Sequence, residues 1–156
     1  MSLAFRVRRV LDRYELPYDL VHHSPTQSSL ESAKTAHVPP GRVAKAVLLE
    51  DERGYVLALL PAACHLQLGV VGMVTTRPLE LATEAELDRI FPDCAHGAIP
   101  ATGGAYGVPM LVDESLLRMP DVYFEAGDHE ELVHVDRQAF AMLVGRSQHG
   151  RIAVPH

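Results

Sequence analysis

The sequence predicts an α+β fold, a mixed and largely antiparallel sheet with helices packed on it, and three observations lead there. Strand-like and helix-like stretches follow one another without regular βαβ alternation, which disfavours a doubly wound parallel sheet. Two apolar stretches, 42–50 and 55–60, flank a polar turn at 51–54 and read as an antiparallel hairpin. The chain has 156 residues, 47% hydrophobic and 22% charged, with no linker-like break, which predicts one domain over 1–156 with a single useful core.

Leu3, Phe5, Val7, Val10, Leu11 and Tyr14 recur at mostly three- and four-residue spacings, predicting an amphipathic helix with Arg6, Arg9 and Arg13 on its other side. Pro17 ends it, and residues 18–22 read as a short strand. Ser28-Ser29-Leu30-Glu31 fits a capping box that opens a helix to about residue 36. Pro39-Pro40-Gly41 turns the chain into the hairpin. Residues 62–74 are ambiguous, a short helix loosened by Gly69 and Gly72. Thr83 and Glu86 form a second capping box, for a helix that Pro92 stops. GAIPATGGAYG, 97–107, is too rich in Gly and Pro for a regular element and is expected to be loop. Strands are predicted at 109–113, 121–125 and finally 132–135, and Asp136 can cap a last helix over 137–144. The weakly patterned tail from about residue 146 is expected to be mobile.

Lys45 is the anomaly in this pattern. Along the first hairpin strand Val43, Lys45, Val47 and Leu49 share one face and Ala44, Ala46 and Leu48 the other, so both faces are apolar. An ammonium group there must snorkel to an edge, find a partner, or line a polar cleft cut into the core. The plain reading is a packed stem with a wet tip. The functional one is a pocket lysine that orients or polarises a ligand.

Several classes of function are excluded by what the motifs lack. His129-Glu130-Glu131-Leu132-Val133-His134 misses the zinc-protease HExxH spacing, because Val133 stands where the second histidine belongs. Cys64 and Cys94 have no CxxC spacing and imply neither a metal site nor a disulfide framework. The Gly-rich loop lacks the Lys-Ser/Thr ending of a phosphate-binding P-loop, and no GxSxG elbow seats a serine nucleophile. No metal or cofactor is expected. The uncharged stretch 56–76 contains Pro61, His65, Gln67 and two glycines, so it is not read as a membrane span. With no apolar run behind Arg6, Arg8 and Arg9 to suggest a secretory signal, a cytoplasmic location is expected. The net charge of −6 argues against a broad DNA footprint. Residues 1–49 nevertheless hold seven Lys/Arg against four Asp/Glu, so a polyanion would meet the N-terminal third first.

The run of motifs RVAKAVLLE, YVLALLPA with CHLQL after it, TEAEL, GAIP and VYFEAG resembles the YbaK/EbsC family. This is the aminoacyl-tRNA deacylase domain found free-standing and inserted in bacterial prolyl-tRNA synthetases. The resemblance runs over about 18–144 and implies a curved sheet or partial barrel. It also implies hydrolysis of the ester joining a wrong amino acid to a tRNA 3′ end, often proline-type tRNA. By position Lys45 is similar to the family's activity-linked strand lysine, and Gly97 and Pro100 to the glycine and proline of the loop that seats the terminal adenosine. His129 is carried as a candidate for the residue after the late glycine turn. Ser28 and Ser29 are candidates for the amino-acid pocket, with helix capping as their plain role. The implied partners are the aminoacylated tRNA 3′ end and prolyl-tRNA synthetase. The rival reading is a non-catalytic module that binds a tRNA acceptor end or another adenosine-bearing ligand.

Overall fold

The computed structural model describes residues 3–95 and 98–155. Its strands are β1 (Asp19–His22), β2 (Val43–Asp51), β3 (Gly54–Pro61), β4 (Cys64–Leu66), β5 (Glu80–Leu81), β6 (Met110–Asp113), β7 (Asp121–Glu125), β8 (Glu131–Asp136), β9 (Gln148–Gly150) and β10 (Ala153–Pro155). The helices are α1 (Phe5–Arg13), α2 (Ser29–Thr35), α3 (Leu68–Thr75), α4 (Glu84–Ile90), α5 (Glu114–Leu117) and α6 (Arg137–Val144). The main sheet runs β1-β8-β7-β2-β3-β6-β9, with β5 also on β2, and it is open rather than closed into a barrel. Its β1–β8, β8–β7, β2–β3 and β2–β5 pairs are antiparallel. Its β2–β7, β3–β6 and β6–β9 pairs are parallel.

The α+β expectation holds, and so does the hairpin, in which Lys45 faces Leu60 across the ladder. Three helix starts follow from their caps. The Ser28 hydroxyl accepts the Glu31 amide, Thr83 and Glu86 satisfy each other's backbone amides, and the Asp136 carboxylate accepts the Ala139 amide. Each cap occupies backbone groups that the first turn leaves without intrahelical partners.

Four expectations need correction. Residues 62–74 carry a short strand, β4, before α3, and β4 pairs with β10. Residues 97–107 are not wholly irregular, since Gly103–Tyr106 form a 3₁₀ turn. Residues 132–135 do not hold the last strand, because β9 and β10 follow. The tail is tied down. β9 pairs with β6, Ile152 is fully buried, and the Asp113 carboxylate accepts the Ile152 and Ala153 amides at 2.9 and 3.1 Å.

The 3₁₀ turn sets a packing limit. A Cβ on Gly103 would lie 2.4 Å from the Val108 carbonyl oxygen, a backbone atom that cannot swing away. The Gly103 amide also donates to the Met110 sulfur at 3.2 Å in the core. Gly103→Ala is therefore expected to lower stability by about 1–3 kcal/mol through overpacking, read as a shift in the denaturation midpoint. A variant as stable as the parent would show that this loop moves freely.

Candidate functional site

The site is built on β2. The face carrying Ala44 and Leu48 joins the largest apolar cluster, with Leu57, Leu59, Val122, Phe124 and Phe140. The opposite face is divided. Val43 belongs to a small cluster with Ala33, Ala62 and Leu132 under α2, whereas Leu49 and its neighbour Val47 belong to another with Ala58, Val71, Leu111 and Ile152. Lys45 leaves the strand between the two. Its neighbours along that face thus belong to two separate apolar clusters and Lys45 to neither, which is how one strand accommodates a half-buried ammonium.

Lys45 is half-buried and makes no ion pair among the described residues. Burial lowers its pKa, and the Cys64 sulfur opposes that shift in part. Cys64 is itself pushed up by burial and by Asp113, and drawn down by Lys45. An ammonium that has lost water without gaining a carboxylate favours an incoming anion more than a paired one does.

Glu125 is the residue that sequence reasoning did not single out. β2 and β7 run parallel in the register Val43↔Tyr123 and Ala44↔Phe124, so one step on Lys45 and Glu125 leave the same face of neighbouring strands. Glu125 is fully buried, and neither carboxyl oxygen has a hydrogen-bond partner among the described residues. Burial raises its pKa to about 7. The Ser32 hydroxyl, already bonded to Thr26 at 2.7 Å, offsets this only in part, and Asp128 adds to the rise. Its place in the sequence, an acid on the polar side of an alternating strand just before the Gly127 turn, gives no local sign of burial.

Three loops meet beyond Glu125. The His129 and Glu130 carbonyls accept the Thr26 and His23 amides at 3.3 and 2.8 Å, joining the 127–130 turn to the segment before α2. The Gly127 carbonyl accepts the Ala95 amide at 2.7 Å, joining the same turn to the start of the Gly/Pro loop. His129 is buried and has a positive φ of 62°, a conformation uncommon outside glycine, Asn, Asp and His. Pro100 is buried in the loop alongside Ile99 and Ala101.

The candidate residues therefore fall into groups. His129 and Pro100 lie on segments pinned together through the Gly127 turn, and Ser28 follows the segment that His129 holds. Ser28 is the cap of α2 and Ser29 is buried in its first turn, so the structure accounts for both through the helix start. Gly97 lies outside the described residues. His134 sits apart from His129, stacked on Tyr123 at 4.2 Å and bonded to Asp121 at 2.8 Å.

Lys45 on β2, Glu125 on β7 and the three joined loops beyond it make up the candidate site of this α+β fold. The sequence model of the aminoacyl-tRNA editing domain matches residues 23–143, and the protein belongs to that family. The resemblance read from the motifs is thereby borne out. A crystal structure provisionally described as a trans-editing enzyme for prolyl-tRNA synthetase superposes with a TM-score of 0.82 at 25% identity, over 97% of this chain and 96% of that one. A hypothetical protein gives 0.83 at 19% identity, over 96% and 99%. A protein of Marinobacter aquaeolei VT8 provisionally assigned to signal transduction gives 0.81 at 20%, over 98% of this chain and 31% of that one. These last two share the fold alone. Among curated proteins no sequence match was found. Among the described residues, no helix is long and apolar enough to cross a membrane.

Proposed function

We propose that the protein is a cytoplasmic, single-domain aminoacyl-tRNA deacylase that acts in trans, hydrolysing the ester between a wrong amino acid and the 3′ end of a proline-type tRNA. The observation that carries this reading is the placement of Lys45 in a chain of the editing family: a half-buried ammonium, without an ion pair among the described residues, on a strand face whose other residues belong to two separate apolar clusters.

Ester hydrolysis needs water to add to the carbonyl carbon, a place for charge on the carbonyl oxygen, and cleavage of the bond to the ribose oxygen, which leaves with a proton. Lys45 meets the developing oxyanion or the terminal phosphate, where a cation in a water-poor site acts most strongly. The loop of Gly97 and Pro100 seats the terminal adenosine, with backbone amides near Gly97 sharing the oxyanion. His129, Ser28 and Ser29 border the amino-acid side. Neither a protein nucleophile nor a cofactor enters this scheme. Prolyl-tRNA synthetase is the expected source of the mischarged substrate.

The test is a panel of tRNAs, each carrying a different amino acid, followed for loss of the amino acid against spontaneous hydrolysis. A narrow set of esters is expected to turn over. Neighbours in that set that differ by one methylene should differ about 10- to 200-fold in kcat/KM, the range an apolar pocket can discriminate. Retention of charged tRNA without turnover on any member would leave a binding module in place of an enzyme.

A further inference from the structure

A second feature lies outside this pocket, on α1. Arg6, Arg9 and Arg13 are all exposed, and with Val10, Gly104 and Ala105 they line a groove of about 660 Å³. None of the three is in an ion pair among the described residues. The Arg6 guanidinium sits 5.5 Å over the Tyr106 ring and that of Arg9 sits 5.7 Å over Phe5. At about 100° per residue the three arginines form one stripe, and at about 1.5 Å rise per residue it is about 10 Å long. No carboxylate is among the groove's lining residues. Three guanidinium groups on one stripe, with Asp93 as the carboxylate bonded beside Arg6, make this a basic patch in a chain of net charge −6.

The groove begins where the pocket's loops end. The Ala4 amide, just before α1, donates to the Ala126 carbonyl at 2.7 Å, next to the Gly127 turn. The Arg6 amide donates to Asp93 at 3.3 Å, and Asp93 also accepts the Tyr106 hydroxyl at 2.8 Å. On its far wall, a Cβ built on Gly104 meets nothing within 4 Å, so the backbone there is open to a ligand.

We infer that this groove binds the backbone phosphates of the tRNA acceptor strand, next to the 3′ end that the Lys45 pocket receives. The inference rests on the deacylase reading for the identity of the RNA. About 10 Å of arginines spans two or three successive phosphates of one strand. Guanidinium groups suit phosphate because their planar fork donates two parallel hydrogen bonds. The Phe5 ring, 59% exposed beside Arg9, adds a surface on which an unpaired base can stack. The footprint is small, so its salt dependence is shallow: two or three contacts correspond to a slope of about −2 in log K against log salt.

The experiment measures Kd for an uncharged acceptor-stem hairpin RNA with a single-stranded 3′ end, at several salt concentrations, for the full chain and two variants. Arg9→Gln/Arg13→Gln removes two cations that hold no ion pair among the described residues. Gly104→Asp sets a negative charge on the opposite wall without a packing clash. Each variant is expected to bind about tenfold more weakly at low salt, and the double variant to lose about 1.5 from the slope. The parent's Kd and slope in both variants would overturn the inference, as would an acidic peptide of equal charge binding the parent as tightly as the RNA. Hydrolysis of an aminoacylated trinucleotide by the parent protein, a substrate too short to span the groove, reports on the deacylase reading separately.

Discussion

Lys45→Ala is expected to lower kcat/KM for deacylation of the best mischarged tRNA by about 10²- to 10³-fold, equivalent to about 2.7–4 kcal/mol of transition-state stabilisation. The figure is that of removing one preorganised group from a developing oxyanion, which is the work proposed for the ammonium. The same change is expected to leave the thermal midpoint unchanged or slightly raised. Lys45 makes no ion pair among the described residues and its burial opposes its charge, so alanine removes a desolvation cost and breaks no hydrogen bond that the structure shows. Activity and stability would thus move independently, as expected of a residue retained for chemistry. Lys45→Arg restores the charge but puts a planar fork where a compact ammonium fits, and partial rescue at most is expected. Full activity in the alanine variant would remove Lys45 from the mechanism. A large fall in midpoint would recast it as a structural residue.

The parts of the fold that the sequence made legible are those fixed by neighbours within a few positions. Ser28, Thr83 and Asp136 each accept a backbone amide three residues on, so the helix starts could be read directly. The hairpin was legible because its turn and both apolar strands lie within twenty residues. The parallel pairs were not. Nothing local to Val43 or Leu57 announces Tyr123 or Met110 as a partner, since those pairings depend on burying a shared apolar face. β9 and β10 escaped for the same reason. Gln148–Gly150 has no strand-like composition, and what holds the tail is Ile152 in an apolar cluster and Asp113, which lies 39 positions earlier in the chain.

The site was legible in unequal measure. Lys45 stood out because a charge in an apolar alternation is a local contradiction. What the sequence hid was the reason it is tolerated: the division of one sheet face into two clusters, set by α2 on one side and by α3 with the tail on the other. Glu125 was hidden more completely. Asp121, Tyr123 and Glu125 alternate with Val122 and Phe124, which reads as an ordinary strand with a wet face and a dry one. α2 and the turn after β7 bury the last of the three residues on that supposedly wet face. His129 was legible as a polar turn residue, but its carbonyl's bond to Thr26 brings together segments about a hundred positions apart.

Glu125 also carries the largest expected effect on stability. Its folded-state pKa of about 7 stands above the ordinary glutamate value of 4.5 because burial penalises the anion. The folded protein therefore holds a proton that the unfolded chain has released between about pH 4.5 and 7, and stability falls as pH rises through that window. The cost is absent below the window and complete above it, at about 3 kcal/mol for a shift of this size. Glu125→Gln keeps the shape and cannot ionise. The buried amide brings a cost of its own if it lacks partners, about 1–3 kcal/mol, but that cost does not vary with pH. The stability of the variant minus that of the parent, from denaturant titrations at pH 4, 5.5, 7 and 8.5, is therefore expected to be constant at the acid end, to climb by about 3 kcal/mol, and to level off above neutrality. Every other titrating group is common to both proteins and cancels in the difference. A flat difference across the range would mean that the carboxyl is solvated or paired in solution, and the buried, neutral-range acid beside the pocket would have to be withdrawn.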